Sequence, residues 1–166
     1  RADRRLMSDD ARFEDGEEKA LNMGAFDNRD IQVVSSLIQD SILPTKEIKW
    51  LSSSNKLALL INRFRWEDKS SVLSKQDNLE RVRSLLMISH VKSISSSGFS
   101  SKQKDKILSI LSISFDGDEG GPGNVLIVLS GNGGIRVNVD ALEINLRDVT
   151  MPYIAPSGLV PEHIID

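Results

Sequence analysis

The sequence has no cysteine and only two histidines among 166 residues. The first absence removes disulfides, thiolate nucleophiles and cysteine-ligated zinc, and fits a reducing cytoplasm. The second leaves His90 and His163 without nearby partners for a metal site or a catalytic triad. No apolar run approaches the ~18 residues that a membrane span requires, and no signal peptide is recognisable. A basic excess is also missing. The net charge of −3 argues against a general nucleic-acid binder. No serine sits in a G-x-S-x-G elbow. Neither catalytic residues, nor a cofactor, nor a metal can be nominated.

What remains suits one domain with a real core, since a chain of this length buries roughly 70% of its unfolded surface. Residues 1–21 hold Asp9, Asp10, Glu14, Asp15, Glu17 and Glu18 with few apolar groups, and read as a mobile acidic tail. Met7 reads as a natural start behind extra residues. The domain is expected at 22–150. An irregular tail follows at 151–166, punctuated by Pro152, Pro156, Gly158 and Pro161.

Within the domain, residues 20–26 supply a first strand. Asp27 then caps a helix whose Ile31, Val34, Leu37 and Ile38 share one face, closed by Pro44. Residues 48–67, IKWLSSSNKLALLINRFRWE, form a hairpin around a Ser-Ser-Ser-Asn turn. Apolar residues on both faces of its second arm place that arm mid-sheet: Leu57, Leu59, Ile61, Arg63 and Arg65 share one face, and Ala58, Leu60, Asn62, Phe64 and Trp66 the other. A polar connector spans 68–80. Strands are expected at 81–94, with His90 inside, and at 107–115, 125–129 and 135–139. The last two flank a glycine-rich turn at 130–134 whose spacing fits a hairpin and fails the dinucleotide fingerprint and the P-loop. Asp116, Asp118 and Glu119 lie in a loop too rich in glycine and acid to order itself, and lack the ligand spacing of an EF-hand. The apolar phase changes near Ala141, so 141–149 is either a new strand or a helical turn. The fold class is α+β: a curved, mostly antiparallel sheet of six to eight strands with one amphipathic helix packed on a face.

The chemistry worth testing is cationic. If the strands at 57–66 and 81–94 pair, Arg63, Arg65, Arg81 and Arg83 come to one end of the sheet beside Trp66 and Asn62. Like charges ~4 Å apart repel by about 4 kcal/mol at an effective dielectric of 20, so four guanidiniums call for an anion or for carboxylates. Glu67, Asp68 and Glu80 supply the second answer, a solvated and self-paired rim. The first answer is an anion or partner site, for which Arg63→Ala with Arg83→Ala abolishes binding and leaves the fold intact.

The runs Ile31-Gln32-Val33-Val34 with Gln39-Asp40, Ile48-Lys49-Trp50-Leu51, N-R-F-x-W-E at 62–67, residues 108–115, and residues 134–139 with Glu143 and Asp148 form a pattern. That pattern resembles a family of small alphaproteobacterial proteins known only as a domain of unknown function. At Ile88, Ser89 and His90 the chain departs from the aromatic, acid and base of that pattern. The resemblance implies a bacterial cytoplasmic protein and supplies no activity. The leading expectation is a non-enzymatic protein-interaction module that binds a protein partner or itself, as a homodimer, through a sheet edge or the Trp50 and Trp66 surface. The alternative is a small-anion sensor or enzyme using the arginine cluster beside Trp66.

Overall fold

The computed structural model describes residues 20–65, 80–100 and 102–149. Residues 1–19 of the expected acidic tail, Trp66, nearly all of the connector and the expected tail at 151–166 lie outside the described residues.

The described residues open with β1 (Asn22–Ala25) and α1 (Asn28–Ile38). Asp27 caps α1 as expected: its carboxylate accepts from Asp30 N–H at 2.8 Å, and Asp30 in turn accepts from Phe26 N–H at 3.0 Å. Ile31, Val34 and Ile38 are the buried stripe. The helix stops well before Pro44, with Asp40 in the left-handed region at φ 65°. Next come β2 (Ile42–Pro44), a 3-10 turn at Thr45–Glu47, β3 (Ile48–Leu51) and β4 (Lys56–Phe64). Asn55 turns the β3–β4 hairpin at φ 56°, a conformation that its short polar side chain tolerates. The remaining strands are β5 (Arg81–Ile88), β6 (Val91–Ser97), β7 (Ile107–Gly117), β8 (Gly123–Leu129), β9 (Gly133–Val139) and β10 (Ile144–Asp148).

The class is α+β with a mostly antiparallel sheet, but among the described residues there are ten strands rather than six to eight. Two features account for the difference. Residues 42–44 are too short to carry a periodic signal, yet form β2 by pairing with both β4 and β7. The expected single strand at 81–94 is two strands, because Ser89 and His90 turn the chain, His90 at φ 58°. The segment at 141–149 resolves to β10, a strand. The acidic glycine loop is also tighter than expected. β7 and β8 run into it, and Asp118 N–H donates to Pro122 O while Gly121 N–H donates to Asp118 O.

The strands lie in the order β1, β10, β5, β4, β2, β7, β8, β9, β6, with β3 beside the first half of β4. The sheet is open. β5 and β6 are far apart in this order, yet only two residues join them in the chain. The sheet must therefore curl until β6 comes near β5, and Val91 N–H reaches Asn55 O in the β3–β4 turn at 2.9 Å. One face thus turns inward. Leu59, Ile61, Leu86, Ile88, Ile110, Ile127, Val137 and Ile144 form the core there with the apolar stripe of α1. Ser35 on α1 fixes the helix to the sheet by accepting from Ile113 N–H at 3.1 Å.

Candidate functional site

Alternation along β4 sends Leu57, Leu59, Ile61, Arg63 and Arg65 inward, and all five are buried. Arg63 is 0% exposed. A guanidinium in that position is tolerable only when its charge and its donors are met. Asp148 on β10 meets them: Nη2 lies 3.1 Å from Oδ1 and 3.3 Å from Oδ2, and Nε lies 3.2 Å from Oδ1. Nε also donates to the Ser84 hydroxyl at 3.0 Å, and Nη1 to Phe64 O at 2.9 Å. Ser84 donates to Asp148 Oδ1 at 2.7 Å, and Leu21 N–H donates to Oδ2 at 2.8 Å. The result is a charged clamp that joins β4, β5, β10 and the entry to β1. Arg65, 4% exposed, is paired with Glu80 at 2.9 Å, closing the two ends of the connector.

The register divides the four arginines. Arg63 stands opposite Val82, whereas Arg81 stands opposite Phe64 and Arg83 opposite Asn62. Directly opposed residues share a face, so Arg81 and Arg83 point outward while Arg63 and Arg65 point inward. The four arginines thus stand at one end of the sheet but on its two faces, and the burial of Arg63 makes Arg63→Ala a substitution expected to cost stability. Arg81 lies over the Phe64 ring, 4.0 Å from its centroid, and donates to Asn62 O at 3.1 Å. Further along, Leu60 opposes Leu85, and Leu85 opposes Arg147. Arg81, Arg83 and Arg147 thus frame Phe64, Leu60 and Leu85 on the outward face. A cavity of about 270 Å³ indents this face, lined among others by Arg83, Asn62, Leu60, Ile42 and Glu47.

Three chain segments leave the described domain at this same end. Leu21 is bonded to Asp148, Arg65 N–H donates to Glu80 O at 2.8 Å, and Val149 N–H donates to Arg83 O at 2.9 Å. Of the six residues singled out from sequence, Asn62, Arg81 and Arg83 therefore share the outward face, Arg63 and Arg65 lie beneath it, and Trp66 falls outside the described residues. Asp148 and Ser84 were missed as partners. The inward parity that Arg63 shares with Leu57, Leu59 and Ile61 was the signal that a buried acid had to exist.

Other candidates carry less. His90 is exposed in its turn and 2.7 Å from Glu143. A groove of about 530 Å³ between α1 and β7 is lined by Gln32, Ser35, Ser36, Gln39, Leu111 and Phe115 among others, with no charged group. Among the described residues no three His, Asp or Glu side chains converge as metal ligands, and no helix is long and apolar enough to cross a membrane.

Residues 21–163 match the family described as "Protein of unknown function (DUF2948)". No curated protein and no solved structure matches the chain.

Proposed function

We propose that this chain, which belongs to the DUF2948 family, is a non-enzymatic interaction module of the bacterial cytoplasm. Its outward face around Phe64 and Arg83 binds a partner segment that is both acidic and apolar. The observation that carries this reading is the split register. It leaves Arg81, Arg83 and Arg147 beside half-buried Phe64, Leu60 and Leu85, while Arg63 and Asp148 bond β4 to β10 below. Guanidiniums give bidentate bonds to carboxylates, and the aromatic and leucine side chains give apolar area, which is the composition of interface anchors. A cysteine-free chain and the alphaproteobacterial resemblance favour the compartment. A small-anion sensor or enzyme drawing on all four arginines loses Arg63 and Arg65 to the interior.

An array of synthetic peptides tests the reading. Peptides pairing Asp or Glu with Leu, Ile or Phe should bind the full chain, weaken with salt, and lose binding to Arg81→Glu with Arg83→Glu. Binding that is indifferent to both substitutions would exclude this face.

A second reading, self-association, draws support from β3, where Trp50 is 45% and Leu51 39% exposed on a strand beside β4. Light scattering should then report a dimer that Trp50→Lys dissociates. A strict monomer at high concentration would exclude it.

A further inference from the structure

We infer that an acidic, extended segment of a partner protein adds as a strand to the free edge of β6, in a seam of the curled sheet that β3 borders on its other side. The seam is a second surface, independent of the outward face around Phe64 and Arg83.

The topology makes the seam. β6 ends the strand order and pairs with β9 alone, while β3 pairs with β4 alone, so each keeps one unpaired edge. Bonds at both ends bring these edges along one opening. At one end Val91 N–H, at the start of β6, turns away from β9 and donates to Asn55 O in the β3–β4 turn at 2.9 Å. At the other end the loop that follows β6 holds the 3-10 turn that precedes β3. Lys46 N–H donates to Lys104 O at 3.1 Å, Thr45 N–H to Lys106 O at 2.9 Å, and Lys106 Nζ to Gly98 O at 3.0 Å. β3 therefore runs towards the end of the seam from which β6 departs, yet no ladder joins the two. Among the described residues, 93–97 make no backbone bond beyond the β9 ladder. Alternate N–H and C=O groups of β6 thus stand open over roughly 15 Å.

Both sides of the seam present apolar area at inward parity. Trp50 opposes buried Leu57 and yet is 45% exposed. Ile94 opposes buried Val137 and is only half-buried, at the margin of the core. A strand laid along β6 extends the sheet where these two side chains are left uncovered.

Charge selects the occupant. Lys46 and Lys49 lie on the β3 side, Lys92 on β6, and Lys102, Lys104 and Lys106 in the loop between them, all exposed. The acids of the same segments are Glu47 and Asp105, and Asp140 lies 3.6 Å from Lys92. This excess disfavours a second copy, which would set lysine against lysine, and favours carboxylates. Single-stranded nucleic acid matches the lysines and the tryptophan but makes no use of an open strand edge. A peptide that alternates acidic with apolar residues uses all three features: main chain on β6, apolar side chains towards Trp50 and Ile94, carboxylates towards the lysines.

The probe is a blocked octapeptide that alternates Glu with Val and Ile. Titrated into the isotope-enriched full chain, it should shift alternate amides between Ser93 and Ser97 and slow their exchange with solvent by roughly tenfold or more, as expected when an open N–H joins a ladder. Successive N–H groups of an added strand point to opposite edges, so N-methylation of at least one alternate set should abolish binding with the side chains unchanged. Lys49→Glu with Lys104→Glu should weaken binding by roughly tenfold or more at an unchanged melting temperature. Equal binding by both N-methylated peptides would overturn the inference, because side chains alone would then make the contact. So would the absence of amide shifts at millimolar peptide, or binding of oligothymidylate without binding of the peptide. Protection of the same amides in the free chain that vanishes on dilution would also overturn it, since a second copy would then hold the edge. The two surfaces fail separately: peptide held in the seam is indifferent to Arg81→Glu with Arg83→Glu, and peptide held on the outward face is indifferent to Lys49→Glu with Lys104→Glu.

Discussion

Arg63 and Arg81 lie one register step apart on paired strands and face opposite sides of the sheet. Arg63 is sealed against Asp148 at 3.1 Å, and Arg81 Cζ lies over the Phe64 ring, 4.0 Å from its centroid. The same residue type thus serves the interior in one strand and the surface in the next. The buried pair ties β4 to β10, and the same ladder presents the exposed cation. Any account of binding at this end has to treat the two arginines as parts with different duties.

The interior duty predicts a large stability effect. Asp148→Ala leaves Arg63 uncompensated where water cannot reach it, and removing one partner of such a pair costs about 3–5 kcal/mol. Urea titration should show that loss, and the melting temperature should fall by about 10 °C. Arg63→Met with Asp148→Leu should recover most of it, because the desolvation cost disappears together with the attraction. A double variant as unstable as the single one would indicate that shape rather than charge sets the cost.

Much of this was legible in the residues and part of it was not. Alternation placed Arg63 and Arg65 on the face of Leu57, Leu59 and Ile61, and those five residues are indeed buried together. The position of Arg81 and Arg83 depended on the register between β4 and β5, across a connector whose length does not fix parity; a shift of one residue would have turned them inward. The partner of Arg63 lies 85 positions away, beyond any local pattern. β2 was hidden because three residues, ending in Pro44, carry no period, and pairing on both sides is what makes them a strand. The turn at Ser89 and His90 interrupts an apolar run without glycine or proline, so composition did not mark it.

His90 holds φ 58°, a conformation that costs most side chains about 1–2 kcal/mol and β-branched ones more. His90→Val should therefore lower stability by about 2 kcal/mol. His90→Gly should stay within about 1 kcal/mol of the original, since the backbone relief offsets the lost contact with Glu143, an exposed pair. Thermal melts of the two variants decide the matter. If glycine is the worse of the two, the Glu143 contact governs this turn.

The hairpin between β7 and β8 depends on two facing glycines. A Cβ on Gly123 would lie 2.6 Å from Asp116 O and 2.7 Å from Gly117 Cα, and both obstacles are backbone. Gly123→Ala should cost about 1–3 kcal/mol through forced separation of the strands. Gly121→Ala, whose nearest atom would be Asp118 Cβ at 3.5 Å, should be tolerated and serves as the control. Equal effects at both sites would mean that the strands do not approach this closely in solution.

The surface duty of Arg81 predicts a small effect on stability. Its stack on Phe64 is exposed, where a cation–π contact contributes about 0.5–1 kcal/mol. Arg81→Ala should therefore unfold within about 1 kcal/mol of the original, against the several expected for Arg63→Ala. The comparison is a direct check on the register, because a slip of one residue would turn Arg81 inward as well and make both substitutions costly. It also licenses the binding experiment: only if Arg81 and Arg83 can be changed without unfolding the chain does a lost interaction report on the outward face rather than on the clamp beneath it.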